Sequence, residues 1–407
     1  MKMNHNIITL FSTRIIRLFC YGFLSVILAL YLAQVGLPEQ QIGLLFTLTL
    51  AGDAGISLWL TTTADRFGRK RTLIVGALLM LGAGIVFIIT RNVVVLMAAA
   101  IIGVISPSGN EIGPFLSVEQ AALSHLLPDA KRTQVFAWYN LVGSFATATG
   151  ALSGGWLAQL LQSNGMPALD AYRVVLMGYA IGGLLIGLLF LSLSRDVEVD
   201  ATSQTDSAPR VLGLHKSRNV VIKLSALFSI DAFAGGFVVQ SLIAYWFYVK
   251  FGVDAGIIGS IFFGANVLAG ISALLAVRIA NKIGLINTMV FTHVPSNILL
   301  ILVPLMPTLP LAIIVLLLRF SISQMDVPTR QSYTMAVVAP DERSAASGVT
   351  SIARSVGAAI SPSLTGIFLA SPALLSLPFF LSGGLKIVYD VLLYRSFSTM
   401  KAPEENK

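Results

Sequence analysis

The chain has 407 residues, of which 56% are hydrophobic and only 11% are charged, and its formal net charge is +8. Soluble domains carry about 25% charged residues, so this composition, with a mean hydropathy of +0.83, excludes an ordinary soluble protein and predicts a polytopic α-helical membrane protein. The single cysteine, Cys20, excludes an intrachain disulfide.

Twelve apolar segments follow one another, each long enough to cross a hydrocarbon core of about 30 Å as a helix. Their approximate bounds are 13–33, 41–62, 72–90, 94–120, 134–158, 173–194, 221–247, 256–280, 287–305, 309–338, 344–370 and 373–396. No small-residue cleavage pattern follows the first, so we interpret it as a retained span. The polar segment 195–220 is predicted to be a cytoplasmic linker between two six-helix bundles, 1–194 and 221–407.

The distribution of basic residues predicts the orientation of the spans, because cytoplasmic loops retain Lys and Arg. With the N-terminus placed inside, 20 of the 27 Lys and Arg residues fall in inside segments and their edges, three fall outside and four lie within spans. Both termini are therefore predicted to be cytoplasmic. The positive net charge is interpreted as an orientation signal, and we expect no nucleic-acid binding.

The two halves carry an internal repeat. An offset of 216 residues aligns VGLPEQQIGLLF (35–46) with FGVDAGIIGSIF (251–262). The same offset aligns ADRFGRKRT (64–72) with ANKIGLINT (280–288). Parallel repeats of this kind occur in secondary transporters, where the substrate site lies between the halves.

The loop TTTADRFGRKRT (61–72) concentrates charge between spans 2 and 3. It is similar to the loop pattern G-x-L-a-D-R-x-G-R-[KR]-x of the major facilitator superfamily, which the chain resembles over nearly its full length. The matching positions are Asp65, Arg66, Gly68, Arg69 and Lys70, whereas Thr61 and Thr63 replace the usual Gly and Leu. The Pro-acidic-Arg loops PDAKR and PDER add to the resemblance. It implies a fold of two pseudo-symmetric six-helix bundles, and a loop that latches the cytoplasmic side closed or only fixes topology.

Span 5 resembles, less closely, a glycine pattern that the family associates with antiport. Gly150, Gly154 and Gly155 match the pattern, while Ala146 and Ala151 replace its Gly and Pro. Small residues at this spacing let helix backbones approach closely.

Four ionisable residues fall inside spans 4, 7 and 10, which the resemblance places around the central cavity. They are Glu111, Asp231, Arg319 and Asp326. Because a charge costs at least about 2.5 kcal/mol inside a span, each one suggests a function. Glu111 and Asp231 have no cation close by in their own spans and are predicted to couple protons, while Arg319 orients an anionic group or holds Asp326.

Structural salt bridges, for example between Asp326 and Arg330 or Arg319, are the alternative interpretation of these charges. Pro107, Gly109 and Pro114 are expected to kink or unwind span 4 beside Glu111, and Pro328 to break span 10. Asp53 in span 2 is expected to serve in gating or structure. Lys386 and Asp390, four residues apart in span 12, are expected to pair.

These observations predict secondary active transport of a small molecule by alternating access, with proton-coupled efflux as the leading hypothesis. Proton-coupled uptake and uniport are alternatives, and a non-transporting membrane sensor is a remote one. Histidines do not cluster at metal-ligand spacing, no GxxxxGK[ST] loop is present and no catalytic set is readable, so no metal, cofactor, ATP-driven pumping or enzymatic activity is expected. We expect a monomer in a bacterial cytoplasmic (inner) membrane, with protons as the coupling ion.

Overall fold

The structure is a computed structural model and describes residues 5–111, 113–127, 129–198, 214–339 and 342–400, without the side chains of 61–63, 65–66, 129–134, 137, 195 and 344. The described residues form sixteen α-helices and no strands. In the first half these are α1 (His5–Ser25), α2 (Leu28–Val35), α3 (Glu39–Phe67), α4 (Arg69–Ile89), α5 (Val93–Ile102), α6 (Phe115–Leu126), α7 (Asp129–Ser163) and α8 (Ala168–Leu191). In the second half they are α9 (Arg218–Gly236), α10 (Gln240–Phe251), α11 (Ala255–Ile283), α12 (Leu285–Leu302), α13 (Leu309–Phe320), α14 (Asp326–Val337), α15 (Arg343–Leu369) and α16 (Leu377–Phe397).

Long apolar helices dominate the described part of the chain. Nine stretches of helix within it are long and apolar enough to cross a membrane, and α5 and α13 are shorter apolar helices. Many large apolar side chains on these helices are exposed, among them Ile89 at 74% and Leu188 at 55%. Exposed apolar surface of this extent is suited to contact with lipid, and the fold is that of an all-α membrane protein.

Four of the predicted spans are interrupted helices. Span 1 is broken at 26–27, span 4 at 103–114, span 7 at 237–239 and span 10 at 321–325. The break in span 4 contains Pro107 and Gly109, the latter with φ 71°, and ends at Pro114, the N-cap residue of α6. Proline removes a backbone donor and a positive φ favours glycine, so the sequence unwinds this span over twelve residues.

Span 10 breaks before Pro328, which lies inside the first turn of α14. Proline is tolerated there because the first N–H groups of a helix have no intrahelical acceptor. The interruption therefore falls on the segment preceding the proline, as expected from the clash of its ring with the previous turn.

The chain forms two compact units. One comprises the described parts of Met1–Gln204 together with Gln240–Phe263, and the other those of Thr205–Val239 and Gly264–Lys407. The predicted bundle boundary at 195–220 stays a prediction. A single boundary at this segment does not separate the two units, because the chain crosses between them again at 239–240 and 263–264.

Hydrogen bonds explain why Gln240–Phe263 belongs to the first unit. The Gln240 amide donates to Ser25 Oγ at 2.7 Å, and the Ser241 backbone N–H donates to the Pro107 carbonyl at 3.0 Å. Farther along, Tyr245 Oη donates to Glu39 at 2.8 Å. The broken ends of spans 1, 4 and 7 therefore meet inside this unit.

Helix pairing repeats in the two units. In the first unit α1 packs along α7 and α4 packs along α8. In the second unit the corresponding pairs are α9 with α15 and α12 with α16. Each pair joins spans in equivalent positions of the repeat, as the sequence offset leads one to expect.

Glycines give α7 its close approach to α1. A Cβ at Gly150 would lie 2.0 Å from the Phe19 carbonyl oxygen, and a Cβ at Gly154 would lie 2.1 Å from that of Phe23. Gly155 faces Ala255 in the same unit, where a Cβ would lie 2.3 Å from the carbonyl oxygen. Each of these separations is too short for any side chain unless a backbone moves.

We expect Gly150→Ala to destabilise the protein by about 1–3 kcal/mol or more, because its methyl group would overlap backbone atoms that cannot rotate away. Thermal unfolding of the purified protein in detergent measures the effect. Gly82→Ala in α4 is the matched control, since nothing lies within 4 Å of its Cβ position and helical Gly→Ala alone stabilises by about 0.5–1 kcal/mol. Equal melting temperatures for the two variants would contradict the packing argument.

Candidate functional site

The charged loop between α3 and α4 is anchored to the segment that follows α8. The Glu198 carboxylate accepts the backbone N–H groups of Arg69 at 2.7 Å and Lys70 at 3.1 Å, at the start of α4. Arg69 Nη1 also donates to the Val197 carbonyl at 3.3 Å. A carboxylate at a helix N-terminus satisfies free donors and complements the helix dipole.

Gly68 separates α3 from α4 with φ 103°, a conformation that favours glycine. The side chains of Asp65 and Arg66 lie outside the described residues. The latch therefore stays a prediction, and the contacts of Arg69 tie this loop to the beginning of the linker.

A second carboxylate anchor occurs in the second unit, at the start of α9. Glu342 accepts the backbone N–H groups of His215, of Lys216 at 2.7 Å and of Ser217 at 2.8 Å. Burial by itself raises the pKa of Glu342, but the hydrogen bonds from Ser217, His215 and Lys216 outweigh it and lower the pKa to about 2. The carboxylate is therefore ionised at neutral pH and holds the end of the linker segment to the α14–α15 connection.

Glu111 lies in the unwound segment of span 4 and pairs with two arginines of α1. Its Oε1 is 2.7 Å from Arg17 Nε and its Oε2 is 3.0 Å from Arg14 Nη1. The sequence analysis looked for a cation in span 4 itself and found none, because the cations come from another helix. Arg14 and Arg17 are 5% and 0% exposed within α1, so they do not contribute to loop charge as the topology count assumed.

Glu119 of α6, eight residues farther along the chain, completes this cluster. It receives both terminal nitrogens of Arg17, at 2.8 and 2.6 Å, in a bidentate pair with neither side chain exposed. The hydroxyls of Tyr139 and Thr13 also donate to it. Two carboxylates and two guanidinium groups are thus brought together in a largely buried cluster, and both carboxylate oxygens of Glu119 accept hydrogen bonds.

Asp53 of α3 lies close to the same unwound segment. Its Oδ1 accepts the Gly113 backbone N–H at 2.5 Å and the Ser57 hydroxyl at 3.0 Å. The contact with Gly113 attaches α3 to the end of the break in span 4. This location is compatible with either of the two predicted roles, gating and structure.

Asp231 of α9 is the centre of a cluster in the second unit. Its Oδ1 lies 2.5 Å from Lys386 Nζ, and its Oδ2 lies 3.0 Å from Arg354 Nη1 and 3.3 Å from Arg330 Nη1. The three cations come from α16, α15 and α14. As with Glu111, the sequence search within one span missed the partners of this carboxylate.

Asp326 pairs with Arg330 one turn away at 2.7 Å, which is one of the two salt bridges considered from the sequence. Arg319 is 9% exposed, and its Nε has no hydrogen-bond partner among the described residues. It stacks on the Phe320 ring at 4.8 Å. No ion pair joins Arg319 to Asp326, so the predicted holding of Asp326 falls to Arg330 instead.

The expected pair between Lys386 and Asp390 is wrong. Lys386 reaches Asp231, whereas Asp390 lies 2.8 Å from His293 Nδ1 and accepts from the Asn297 amide at 3.0 Å. His293 is buried, and its Nε2 lies 4.0 Å from Asp231. The two residues of span 12 point to different partners because tertiary neighbours outweigh the weak attraction of an exposed i, i+4 pair.

Several site residues therefore escaped the sequence reasoning. They are Arg14, Arg17, Glu119, Tyr139, His293, Arg354, Lys386 and Asp390. Arg14 and Arg17, three residues apart and followed by an apolar run, carried a usable signal. A buried position for them is equally consistent with the sequence once α1 is allowed to begin at His5.

Two helical units of repeated packing, interrupted spans and buried ion-pair clusters define the protein as a polytopic α-helical membrane protein with an internal repeat. Residues 10–362 match the family described as the Major Facilitator Superfamily. The chain belongs to this superfamily, and its coarse function is membrane transport of a small molecule.

Known relatives agree with this placement. The chain is 32% identical over 413 residues to an uncharacterized membrane protein of Saccharomyces cerevisiae, YJR124C, covering 94% of this chain and 92% of that one. It is 23% identical over 184 residues to the quinolone resistance protein NorA of Staphylococcus aureus, covering 45% of this chain and 46% of NorA. The structure of the nucleoside transporter NupG superposes with a TM-score of 0.72 at 14% identity, covering 97% and 99% of the two chains, and shows the fold alone.

Proposed function

We propose that the protein exports a small organic molecule in exchange for protons. The observation that carries this proposal is the position of Glu111, shared by two arginines at the unwound segment of span 4. The partial likeness to a quinolone resistance protein supports export as the direction.

Glu111 is suited to carry the proton because it is the more accessible carboxylate of its cluster. Its side chain is 12% exposed, whereas that of Glu119 is 0% exposed. Protonation of Glu111 would remove one negative charge and release Arg14, while Arg17 would keep its bidentate partner Glu119. The cluster therefore has two charge states that differ at one helix contact, which is what a coupled conformational change requires.

We further propose that both termini are cytoplasmic and that the loop around Gly68 and Arg69 latches the cytoplasmic side. The excess of Lys and Arg in the predicted inside segments supports the orientation. One relative comes from a yeast and one from a bacterium. A bacterial inner membrane and a monomeric state stay predictions.

Glu111→Gln should abolish the response of transport to a pH gradient, because the amide cannot accept a proton but keeps the side-chain shape. The measurement is accumulation in everted membrane vesicles, acidified inside, of a quinolone, a monocarboxylate and a permanent cation, each with and without an uncoupler. Exchange of the same probe across the membrane without a gradient should persist in the variant.

Asp170→Asn is the control, since Asp170 is 52% exposed and pairs only with Arg173 on the surface. Gradient dependence of Glu111→Gln equal to that of the wild type would remove Glu111 from the coupling mechanism. A gradient that drives probe out of the everted vesicles would indicate uptake in the cell and contradict export.

A further inference from the structure

The charges that lie within the helices of the second unit, buried or partly buried, are not balanced. Inside its helices the described residues place three carboxylates and four cations close to apolar surroundings. The carboxylates are Asp231, Asp326 and Asp390, and the cations are Arg319, Arg330, Arg354 and Lys386. In the first unit the corresponding set has two cations, Arg14 and Arg17, and three carboxylates, which are Asp53, Glu111 and Glu119. The set of seven side chains in the second unit therefore carries one positive charge in excess, and protonation of His293 would add to it.

Asp231 cannot satisfy the cations that surround it. It offers two oxygens to three cations, and Arg354 and Arg330 share Oδ2. Arg330 has a second partner in Asp326, while Asp231 is the only carboxylate that pairs with Arg354 or Lys386 among the described residues. Buried cations of like sign that converge on one carboxylate repel one another, and the arrangement is stabilised by any further anion that reaches them.

Arg354 is the most exposed of the three cations that contact Asp231. Its side chain is 32% exposed, whereas those of Arg330 and Lys386 are 9% and 11% exposed. Nη1 of Arg354 contacts Asp231, and a guanidinium group has five donors in a planar fork. The remaining donors suit the two oxygens of a carboxylate, which arginine binds in a bidentate manner.

We propose that the second unit binds a small organic monocarboxylate, with Arg354 as the residue that holds its carboxylate and Lys386 as a second cation beside it. The proposal rests on the proposed transport function and names the class of substrate for it. A single negative charge matches the single excess positive charge of the set of seven side chains, whereas a dianion such as a phosphate monoester would make the set negative. Permanent cations are disfavoured because they would add to the repulsion.

The test is ligand-dependent thermal stabilisation of the purified full-length protein in detergent. The probes are lactate, benzoate, naphthoate and cholate, each beside its primary amide, together with phenyl phosphate and benzylamine. At least one carboxylate should raise the melting temperature in a saturable manner, and its amide should not. Arg354→Gln should weaken the apparent affinity by about tenfold or more, as expected for the loss of charge-assisted hydrogen bonds.

Arg395→Gln is the matched control, because Arg395 is exposed at the end of α16. Arg354→Lys retains the charge without the fork and should show intermediate affinity, which keeps the test decisive if Arg354→Gln is poorly folded. The proposal is overturned if no carboxylate stabilises the protein, if amide and carboxylate act alike, or if binding survives in Arg354→Gln.

Failure of carboxylate binding can be distinguished from failure of proton-coupled export. A carboxylate that binds through Arg354 but whose transport ignores the pH gradient would refute proton-coupled export and leave this inference standing. Gradient-driven export of a cation, without carboxylate binding, would refute this inference and leave proton-coupled export standing.

Discussion

Arg17→Met should destabilise the protein by about 3–5 kcal/mol, because it leaves the fully buried Glu119 carboxyl without its bidentate partner. The thioether fills much of the same space, so the effect reports the charge and not a cavity. Tyr139 and Thr13 would still donate to Glu119, but two hydroxyls do not replace a guanidinium group. Chemical or thermal unfolding of the purified protein in detergent measures the loss.

Two further variants separate the pair from its surroundings. Arg17→Met combined with Glu119→Leu removes both buried charges and should recover most of the stability, since replacing a whole buried pair by apolar residues is often neutral. Asp170→Asn weakens the pair between the 52%-exposed Asp170 and Arg173 and should cost no more than about 1 kcal/mol. A double variant as unstable as the single one would show that the guanidinium group stabilises the unit by something other than this ion pair.

Asp231→Asn should abolish transport and lower the stability by at least about 3 kcal/mol, because it leaves the buried Lys386 and the partly exposed Arg354 without a carboxylate. The amide has nearly the same shape and volume as the carboxylate. Its NH₂ group, however, is a hydrogen-bond donor and would face the cations that donate to the carboxylate in the wild type. Transport is measured by probe exchange in proteoliposomes, and stability by thermal unfolding. The size of the effect follows from the number of cations, since three converge on this one side chain.

Asp326→Asn is the matched comparison, because Asp326 pairs only with Arg330, which would retain Asp231. We expect it to cost clearly less stability than Asp231→Asn. Adding Lys386→Met to Asp231→Asn should restore part of the stability by removing one unpaired charge. If Asp231→Asn and Asp326→Asn proved equal, the central place of Asp231 in the cluster would be wrong.

The spans and the interruptions of spans 4 and 10 were predictable because they depend on local chemistry, whereas the breaks in spans 1 and 7 carry no proline and were not predicted. Apolar runs set the helices, and Pro107, Gly109 and Pro114 mark the unwound part of span 4 as clearly in the sequence as in the structure. The spacing of small residues in span 5 suggested close packing. The structure agrees, because a side chain at Gly150 or Gly154 would overlap backbone atoms of α1.

The partners of the buried carboxylates could not be predicted, since they come from helices far apart in the chain. Arg17 and Glu119 are separated by 102 positions and Asp231 and Lys386 by 155. A search within each span found no cation for Glu111 or Asp231, and it paired Lys386 with Asp390 of the same helix. Only the packing of α1 with α6, and of α9 with α16, reveals which charges meet.

The crossing of the chain between its two units bears on how the protein is made. Unit 1 includes Gln240–Phe263, where Trp246 and Phe247 are fully buried. Synthesis proceeds from the N-terminus, so the linker and α9 have left the ribosome before the last helices of unit 1 exist. The first unit must wait in the bilayer with an uncovered face, and the two units mature in an interleaved order instead of one after the other.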